Sequence, residues 1–439
     1  MSRPRSSTLV AGAIAMVAAL LAAAAVVLNY SGTPHGAKTV VTVRIWGDQI
    51  AADYRQSFEA FTRAHPDIEV HINLVSYTTY FDTLRTDVAG GSADDIFWLS
   101  NSYLAAYADS GRLMRIDADT DWEPAVVDQF TRGGALWGVP QLTDAGIAMY
   151  YNADLLTAAG VDPAGLDALR WSPGADDTLR PLLARLAVDE NGATANEPGF
   201  DSRRVTQWAY NAANDPQGIY LNYIGSAGGV FQRGDEFAFA NPAAAAAFGY
   251  LVGLINRDHV APPASATNDN GDFSRNQFVA GRMALFQSGT YSLAPVARDA
   301  GFRWGVAMMP TGPVGRVSVT NGIAAAGNAT TKHPAAVRQV LAWMGSKDGN
   351  AYLGRNGAAI PAVLSAQPAY FDYWAGRGID VTPFFTVLRG QRIPAPGGAG
   401  FAAGTTALQP YFDEMFLGRG DVAATLRQAQ SAANAAARR

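Results

Sequence analysis

Leu136 to Leu155 reads LWGVPQLTDAGIAMYYNADL, and the fold turns on this stretch. Gly138-Val139-Pro140 reads as a turn and Gln141-Leu142-Thr143-Asp144 as a short polar segment. The apolar run from Ala145 to Tyr151 has the length and composition of a buried strand. Asn152 then supplies a helix N-cap, with Asp154 in the first turn, where an acid meets the positive end of the helix dipole. The predicted order is polar loop, buried strand, capped helix.

The chain before this stretch alternates strand and helix. Val40–Trp46, VVTVRIW, predicts a strand that ends in Gly47-Asp48-Gln49. In the helix that follows, Tyr54, Phe58 and Phe61 share one face, and His65-Pro66-Asp67 stops it. Ile68–Val75 alternates as a second strand, and Tyr80–Ala89 is helical up to Gly90-Gly91. Asp94–Leu99 is a third strand that opens into Ser100-Asn101-Ser102, and Tyr103–Asp109 is a helix closed by Gly111. A βαβαβ beginning predicts a largely parallel sheet. In such sheets ligands bind beyond the carboxyl ends of the strands. Asp48-Gln49, Ser100-Asn101-Ser102 and Gln141–Asp144 each lie just past a strand, so they are expected on one rim.

The motifs Trp-Gly-Asp after the first strand, Phe-x-x-x-His-Pro-Asp-Ile-x-Val, Asp-Ile-Phe-Trp, and Trp-Gly-Val-Pro followed by Tyr-Tyr-Asn-x-Asp-Leu occur here in order. This series resembles the solute-binding proteins of bacterial ABC importers, in the carbohydrate-binding group that includes maltose-binding protein. The resemblance covers about residues 40–430 and is nearest to an actinobacterial amino-sugar-binding branch. It implies an α/β, two-lobed periplasmic-binding-protein-like fold (a Venus flytrap) with hinge strands, plus an N-terminal transmembrane or signal helix. Residues 1–37 would form that helix and a linker. Residues 38–148 and 302–360 would form the first lobe, and 149–301 with 361–439 the second. Phe302–Pro310 and Gly322–Gly327 resemble strands returning to the first lobe, and Asn434–Arg439 reads as a frayed end.

In the second lobe, Tyr220–Val230 sets aromatics, among them Tyr223, beside Gly228-Gly229, where a backbone can approach a ligand closely. Asn241 and Pro242 open a helix running to Asn256. Phe278–Gly289 is similar to the family's Phe-x-x-Gly-x-Ala-Met segment, with Met283-Ala284 in reversed order. In relatives the residues after that strand, here Ser288-Gly289-Thr290-Tyr291, carry an aromatic onto the sugar.

A pyranose shows hydroxyls around its edge and apolar C–H faces. Asp48, Gln49, Ser100, Asn101, Ser102, Gln141, Asp144, Ser288 and Asn321 offer acceptors and donors for vicinal hydroxyls. Tyr223 and Tyr291 offer stacking planes, and Gly228-Gly229 open backbone. Trp304 sits in a strand pattern and reads as core or as a third plane. Asp144 is the leading residue of the set.

Bulk composition is that of a folded protein. A chain of 439 residues exceeds what one hydrophobic core usually serves. The formal charge of −5, with Arg3 and Arg5 the charged residues of the first 37, leaves an acidic body that argues against nucleic acid. With no cysteine, disulfides, thiolate nucleophiles and lipid attachment through a cysteine are excluded. No Walker A loop, G-x-S-x-G elbow or H-E-x-x-H pair occurs, and the five histidines are scattered. No catalytic residue, metal or cofactor is therefore assigned. The expected partners are a sugar and the permease subunits of an ABC importer, with the chain itself a monomer. Two alternatives stay open: an extracytoplasmic glycosidase using Asp48 and Asp144, or a binder of glycerophosphodiesters or polyamines. Leu9–Leu28 is uncharged over twenty residues, long enough to cross a bilayer, with Arg3 and Arg5 on its cytoplasmic side. It is expected to anchor the body outside the membrane, or to be cleaved as a signal peptide near Ala22–Ala25.

Overall fold

Thr39–Ile45 (β1) pairs in parallel with Ile68–Leu74 (β2) over its whole length and with Ile96–Ser100 (β3) on its other side. β1 is mostly buried and β3 wholly so, because helices cover both faces of this part of the sheet. In this computed structural model the chain is described over residues 38–438 apart from Pro394. Leu9–Leu28 lies outside the described residues. Among those described, no helix is long and apolar enough to cross a membrane.

The remaining strands divide between two lobes. Val139–Thr143 (β4) belongs to the first sheet; Ala148–Asn152 (β5) opens the second. Leu285–Ser288 (β6) and Trp304–Met308 (β7) flank β5, both antiparallel to it. Val317–Val319 (β8) stays in the second lobe, and Gly322–Gly327 (β9) lies in the first sheet between β4 and β3. Ile360–Pro361 (β10) closes the edge of the first sheet, which runs β10-β4-β9-β3-β1-β2. Gln391–Ile393 (β11) pairs in parallel with β8. Each lobe has its own large apolar cluster, one around Phe97, Trp98 and Tyr54, the other around Trp171, Tyr223 and Phe412. A third, around Tyr150, Phe286, Tyr370 and Phe384, fills the junction.

Over the described residues the chain passes between lobes three times, and the first two passages are bonded together. The Asp144 amide donates to the Asn321 carbonyl at 2.7 Å, and the Thr320 hydroxyl donates to the Asp144 carbonyl at 2.7 Å. The Ile147 amide donates to Ser318 Oγ at 2.8 Å. Gly146 is clamped from below, its amide donating to the Phe384 carbonyl at 2.8 Å. A Cβ there would overlap the Val387 side chain and meet Phe384 O at 3.0 Å. The third passage follows β10, where Pro368–Ala375 begins the helical return to the second lobe.

Four expectations need correction, the first being the largely parallel sheet. β1 pairs in parallel with β2 and β3, but β3 with β9, β9 with β4 and β4 with β10 are antiparallel, because β9 re-enters the sheet from the far lobe, and β10 at its edge, in the opposite sense. Gly138-Val139-Pro140 is not a turn: Val139 and Pro140 are buried in β4, where a bulge opposite Ile323/Ala324 accommodates the proline. Phe302–Pro310 does not return to the first lobe, because β7 pairs with β5 from Trp304↔Asn152 to Met308↔Ala148. The first return is β9, so the second lobe holds the chain from β5 to β8. The C-terminal stretch from Asn434 is helical and is not frayed over its described residues, and Arg439 lies outside them. Val422–Ala437 is helical, Ala433 is buried, and the Asn434 side chain bonds both the amide and the carbonyl of Phe237 at 2.9 Å. The Asn152 cap is as expected, its side chain accepting from the Asp154 and Leu155 amides.

Asp53 is a buried exception to an apolar interior. It is 2% exposed, and one carboxylate oxygen accepts from Asn356 Nδ2 at 2.6 Å while the other has no partner. Burial raises its pKa to about 6 against this hydrogen bond. The native state thus favours the protonated acid. That contribution to stability is full below the ordinary value of 3.8 and lost as pH rises through about 6.

Two measurements follow from this packing. In urea titrations Gly146→Ala should cost about 1–3 kcal/mol, because the methyl group has no space. Gly249→Ala, in the helix Pro242–Asn256 with open space around it, should gain about 0.5–1 kcal/mol. Asp53→Asn should stabilise the protein by about 1–2 kcal/mol near pH 8 and by almost nothing near pH 4. Equal effects at both pH values would contradict a buried, titrating Asp53.

Candidate functional site

The carboxyl ends of the first-lobe strands form one rim. Asp48, exposed, is the first residue of the helix Asp48–Ala64, and Gln49 Nε2 beside it donates to the Asn356 carbonyl at 3.3 Å. Past β2, Tyr77 begins the helix Tyr77–Gly90 and is 62% exposed. It stands on an aromatic mass: the Trp46 ring lies 5.6 Å from Tyr77, 4.7 Å from Tyr80 and 5.0 Å from Trp98, each edge to face. Tyr103, past β3, stacks on Phe81 at 4.0 Å. Such support fixes an exposed ring at little cost in conformational entropy.

Asp144, at the start of the first passage, faces the second lobe. Its Oδ2 accepts from Gln217 Nε2 at 2.9 Å. Asp215 opens the helical turn Pro216–Tyr220, and its carboxylate accepts from the Gly218 amide at 3.0 Å. Tyr291, 42% exposed, lies in the turn after β6. Both carboxylates act on both rings. The Tyr77 phenol is pushed up to about 12 by burial, then by Tyr103, Asp215 and Asp144. The Tyr291 phenol is raised well above its ordinary range, by burial first and by Asp215 and Asp144 after it. These rings are reachable by water yet walled by protein, the condition of a side chain deep in a cleft. The accessible area decides whether a solute can touch them; the surrounding wall decides how strongly charges act.

Burial raises Asp144 to about 6, opposed by the Gln217 hydrogen bond. Asp215 is raised as well, by burial against backbone hydrogen bonds from Gly218 and Gln217. Among the described residues, no cationic side chain contributes to either shift. The set therefore offers two acids, one amide and two aromatic faces, and leaves the balancing positive charge or the donated protons to a solute.

The other sequence-predicted residues are distributed differently. Gln141 is fully buried in β4, accepting from the Tyr54 hydroxyl at 2.5 Å, because the polar segment is strand and not loop. Tyr223 is 1% exposed, tilted against Trp171, with its hydroxyl on that of Tyr210 at 3.1 Å, so neither face is open for stacking. Ser288 is buried and bonded to Ser292 at 2.8 Å. Ser100 ends β3 and is 8% exposed. Asn101 and Ser102 point their donors at backbone of the second lobe, the Ala395 and Pro396 carbonyls. Gly228 and Gly229 line a separate cavity of about 550 Å³, together with Asn101. Asn321 meets Asp144 through backbone. Trp304 is half-buried in β7 against Tyr150, on the core side of its two readings.

Sequence reasoning missed Tyr77, Asp215 and Gln217. Tyr77 carried a usable signal, since it follows β2 as Asp48 follows β1. Asp215-Pro216 is a turn dipeptide, and only the third dimension sets it opposite Asp144.

Comparison with known proteins agrees with this architecture. The family description that matches is bacterial extracellular solute-binding protein, over residues 47–351. A crystal structure of M. tuberculosis UspC is 80% identical, covering 90% of this chain and 100% of that one, with a TM-score of 0.75. The ABC substrate-binding protein Lmo0181 from Listeria monocytogenes, in complex with cycloalternan, is 18% identical over 91% of this chain and 98% of its own, with a TM-score of 0.77. A putative binding protein of Brucella abortus is 24% identical over 93% of this chain and 95% of its own. Such proteins bind a solute and do not transform it, and they work outside the cytoplasm. On the match over residues 47–351, this chain belongs to the bacterial extracellular solute-binding protein family.

Proposed function

We propose that this protein is the extracytoplasmic binding component of an ABC importer, capturing a carbohydrate between its lobes and presenting it to the permease subunits as a monomer. The observation that carries this reading is the pair of exposed rings, Tyr77 and Tyr291, both within the field of Asp144 and Asp215. Stacking planes beside uncompensated acceptors suit the C–H faces and hydroxyls of a sugar. Sugar-bound neighbours support the class: the Listeria protein holds cycloalternan and a T. maritima relative, MalE3, holds maltose. Two acids without a cation favour a sugar that carries an amine. Capture closes the cleft by rotation about the passages, since a solute touching both lobes binds the closed arrangement better. Leu9–Leu28 anchors the body to the outer side of the membrane.

A thermal-shift screen of sugars and amino sugars identifies the solute, because a ligand that binds only the native state raises the melting temperature. In calorimetric titrations with that solute, Asp144→Ala should lose about 1.5–3 kcal/mol of affinity. Tyr77→Ala and Tyr291→Ala should each lose about 1 kcal/mol with unchanged melting temperature. Parental affinity in all three would sink the cleft assignment. For an amine-bearing sugar, affinity should rise with pH through about 6 as Asp144 ionises, and Asp144→Asn should flatten that profile. On cell fractionation the protein should stay with the membrane; recovery from the medium with a new N-terminus near Ala25 would contradict the anchor.

A further inference from the structure

Two carboxamides are fully buried in the second lobe, Asn222 near the start of the helix Leu221–Ser226 and Gln287 in β6. An apolar side chain of similar volume would fill either place without the cost of taking an amide out of water. Both amides are instead bonded to the turn that carries Asp215 and Gln217. That turn is wider than an α-helix, because the Tyr220 amide donates at 2.9 Å to the Asp215 carbonyl five residues back. Two of its carbonyls accept from the buried side chains. Asn222 Nδ2 donates to the Gln217 carbonyl at 2.7 Å, and Gln287 Nε2 to the Gly218 carbonyl at 2.8 Å. Gly218 has no room for a side chain, since an added Cβ would overlap the Asp215 carboxylate.

The other end of each amide is bonded elsewhere. Asn222 Oδ1 accepts from the Val319 amide at 3.0 Å, at the end of β8 where the second passage begins. The next residue, Thr320, is the one that bonds Asp144. Gln287 Oε1 accepts from the Tyr210 hydroxyl at 2.7 Å, and the Gln287 backbone exchanges two bonds with the Asn211 side chain, at 2.7 and 2.9 Å. The strand that holds Gln287 leads straight into the turn of Tyr291. We propose that Asn222 and Gln287 are positioning residues for capture of the solute: one sets the Asp215–Gly218 turn against Asp144, and the other sets it against Tyr291. A loose turn would let Gln217 leave Asp144 Oδ2, which it holds at 2.9 Å, and a solute would then have to order the turn as it bound. A fully bonded buried network contributes more through the single arrangement it enforces than through net stability. The consequence for affinity rests on the cleft reading above; the hold on the turn does not.

Hydrogen exchange read by mass spectrometry on the full chain, without added sugar, tests the hold on the turn. Gln287→Met and Asn222→Leu roughly keep side-chain volume and remove the amide. Each should speed exchange of the Gly218–Leu221 amides about tenfold, with those of β1 and β3 unchanged. Parental exchange of the turn in both variants would overturn the proposal. Should either variant speed exchange throughout the second lobe, Tyr210→Phe, which removes only the hydroxyl on Gln287 Oε1, takes its place. Faster exchange confined to the turn then supports the proposal, and none overturns it. Capture is read by calorimetric titration with glucosamine, an amine-bearing sugar. Gln287→Met should bind about tenfold more weakly than the parent. In a Gln217→Ala background the same substitution should cost about threefold or less, leaving only what passes through Asp215. Equal loss in both backgrounds would reduce Gln287 to a packing residue and end the proposal. If glucosamine does not bind the parent, the exchange rates alone decide the hold on the turn, and it is the choice of sugar that has failed.

Discussion

The bonding of the first two passages to each other is the constraint on which the rest depends. Asp144 gives its amide to Asn321 and takes the Thr320 hydroxyl, so two chains cross between lobes as one ribbon. A single extended strand would leave the lobes free to twist and slide. A paired ribbon bends far more readily than it shears, which reduces the relative motion to something close to one rotation. The same bonds set the Asp144 side chain at the root of the cleft, where it meets Gln217 whatever the outer edges do. Backbone chemistry thus positions the acid, and the acid needs no support from other charged side chains.

That placement has an electrostatic cost with a functional sense. Removing a carboxylate from bulk water without a cation raises its pKa, and Asp144 and Asp215 are both shifted in that direction. A structural role would be better served by a salt bridge or an apolar residue. Buried Arg44, by contrast, is paired with Asp87 and Asp94. The cleft acids are left underpaired, and the stability they forgo is available to a solute that supplies donors.

Much of this was legible in the chain. The βαβαβ opening, the Asn152 cap and the Asn241–Pro242 helix start are local signals, and they hold because capping and periodicity act over a few residues. The rim argument set Asp48 and Asp144 just past strands, where the structure has them, because strand ends can be read from pattern. It failed for Gln141, and the separate reading of Tyr223 as a stacking plane failed too: polarity or aromaticity suggested a site while tertiary packing put both inside. A residue's type cannot tell which side of its own strand or helix it occupies when both sides are covered. Nor does spacing reveal that β7 pairs back onto β5, since antiparallel return within a lobe and passage to the other lobe look alike as apolar runs. Asp215 was invisible for the same reason: its partner in the cleft lies some seventy residues earlier in the chain, beyond any window of pattern.

Gly146 carries one further consequence. With its backbone seated against Phe384 and no room for a side chain, this point of the ribbon behaves as a fulcrum fixed to the second lobe. A lever turning on a fixed fulcrum enlarges displacement in proportion to distance from it. Small adjustments around a bound solute therefore reappear, magnified, as spacing between the far edges of the two lobes. Any partner that grips both edges at once can read whether the cleft is filled without ever touching what fills it.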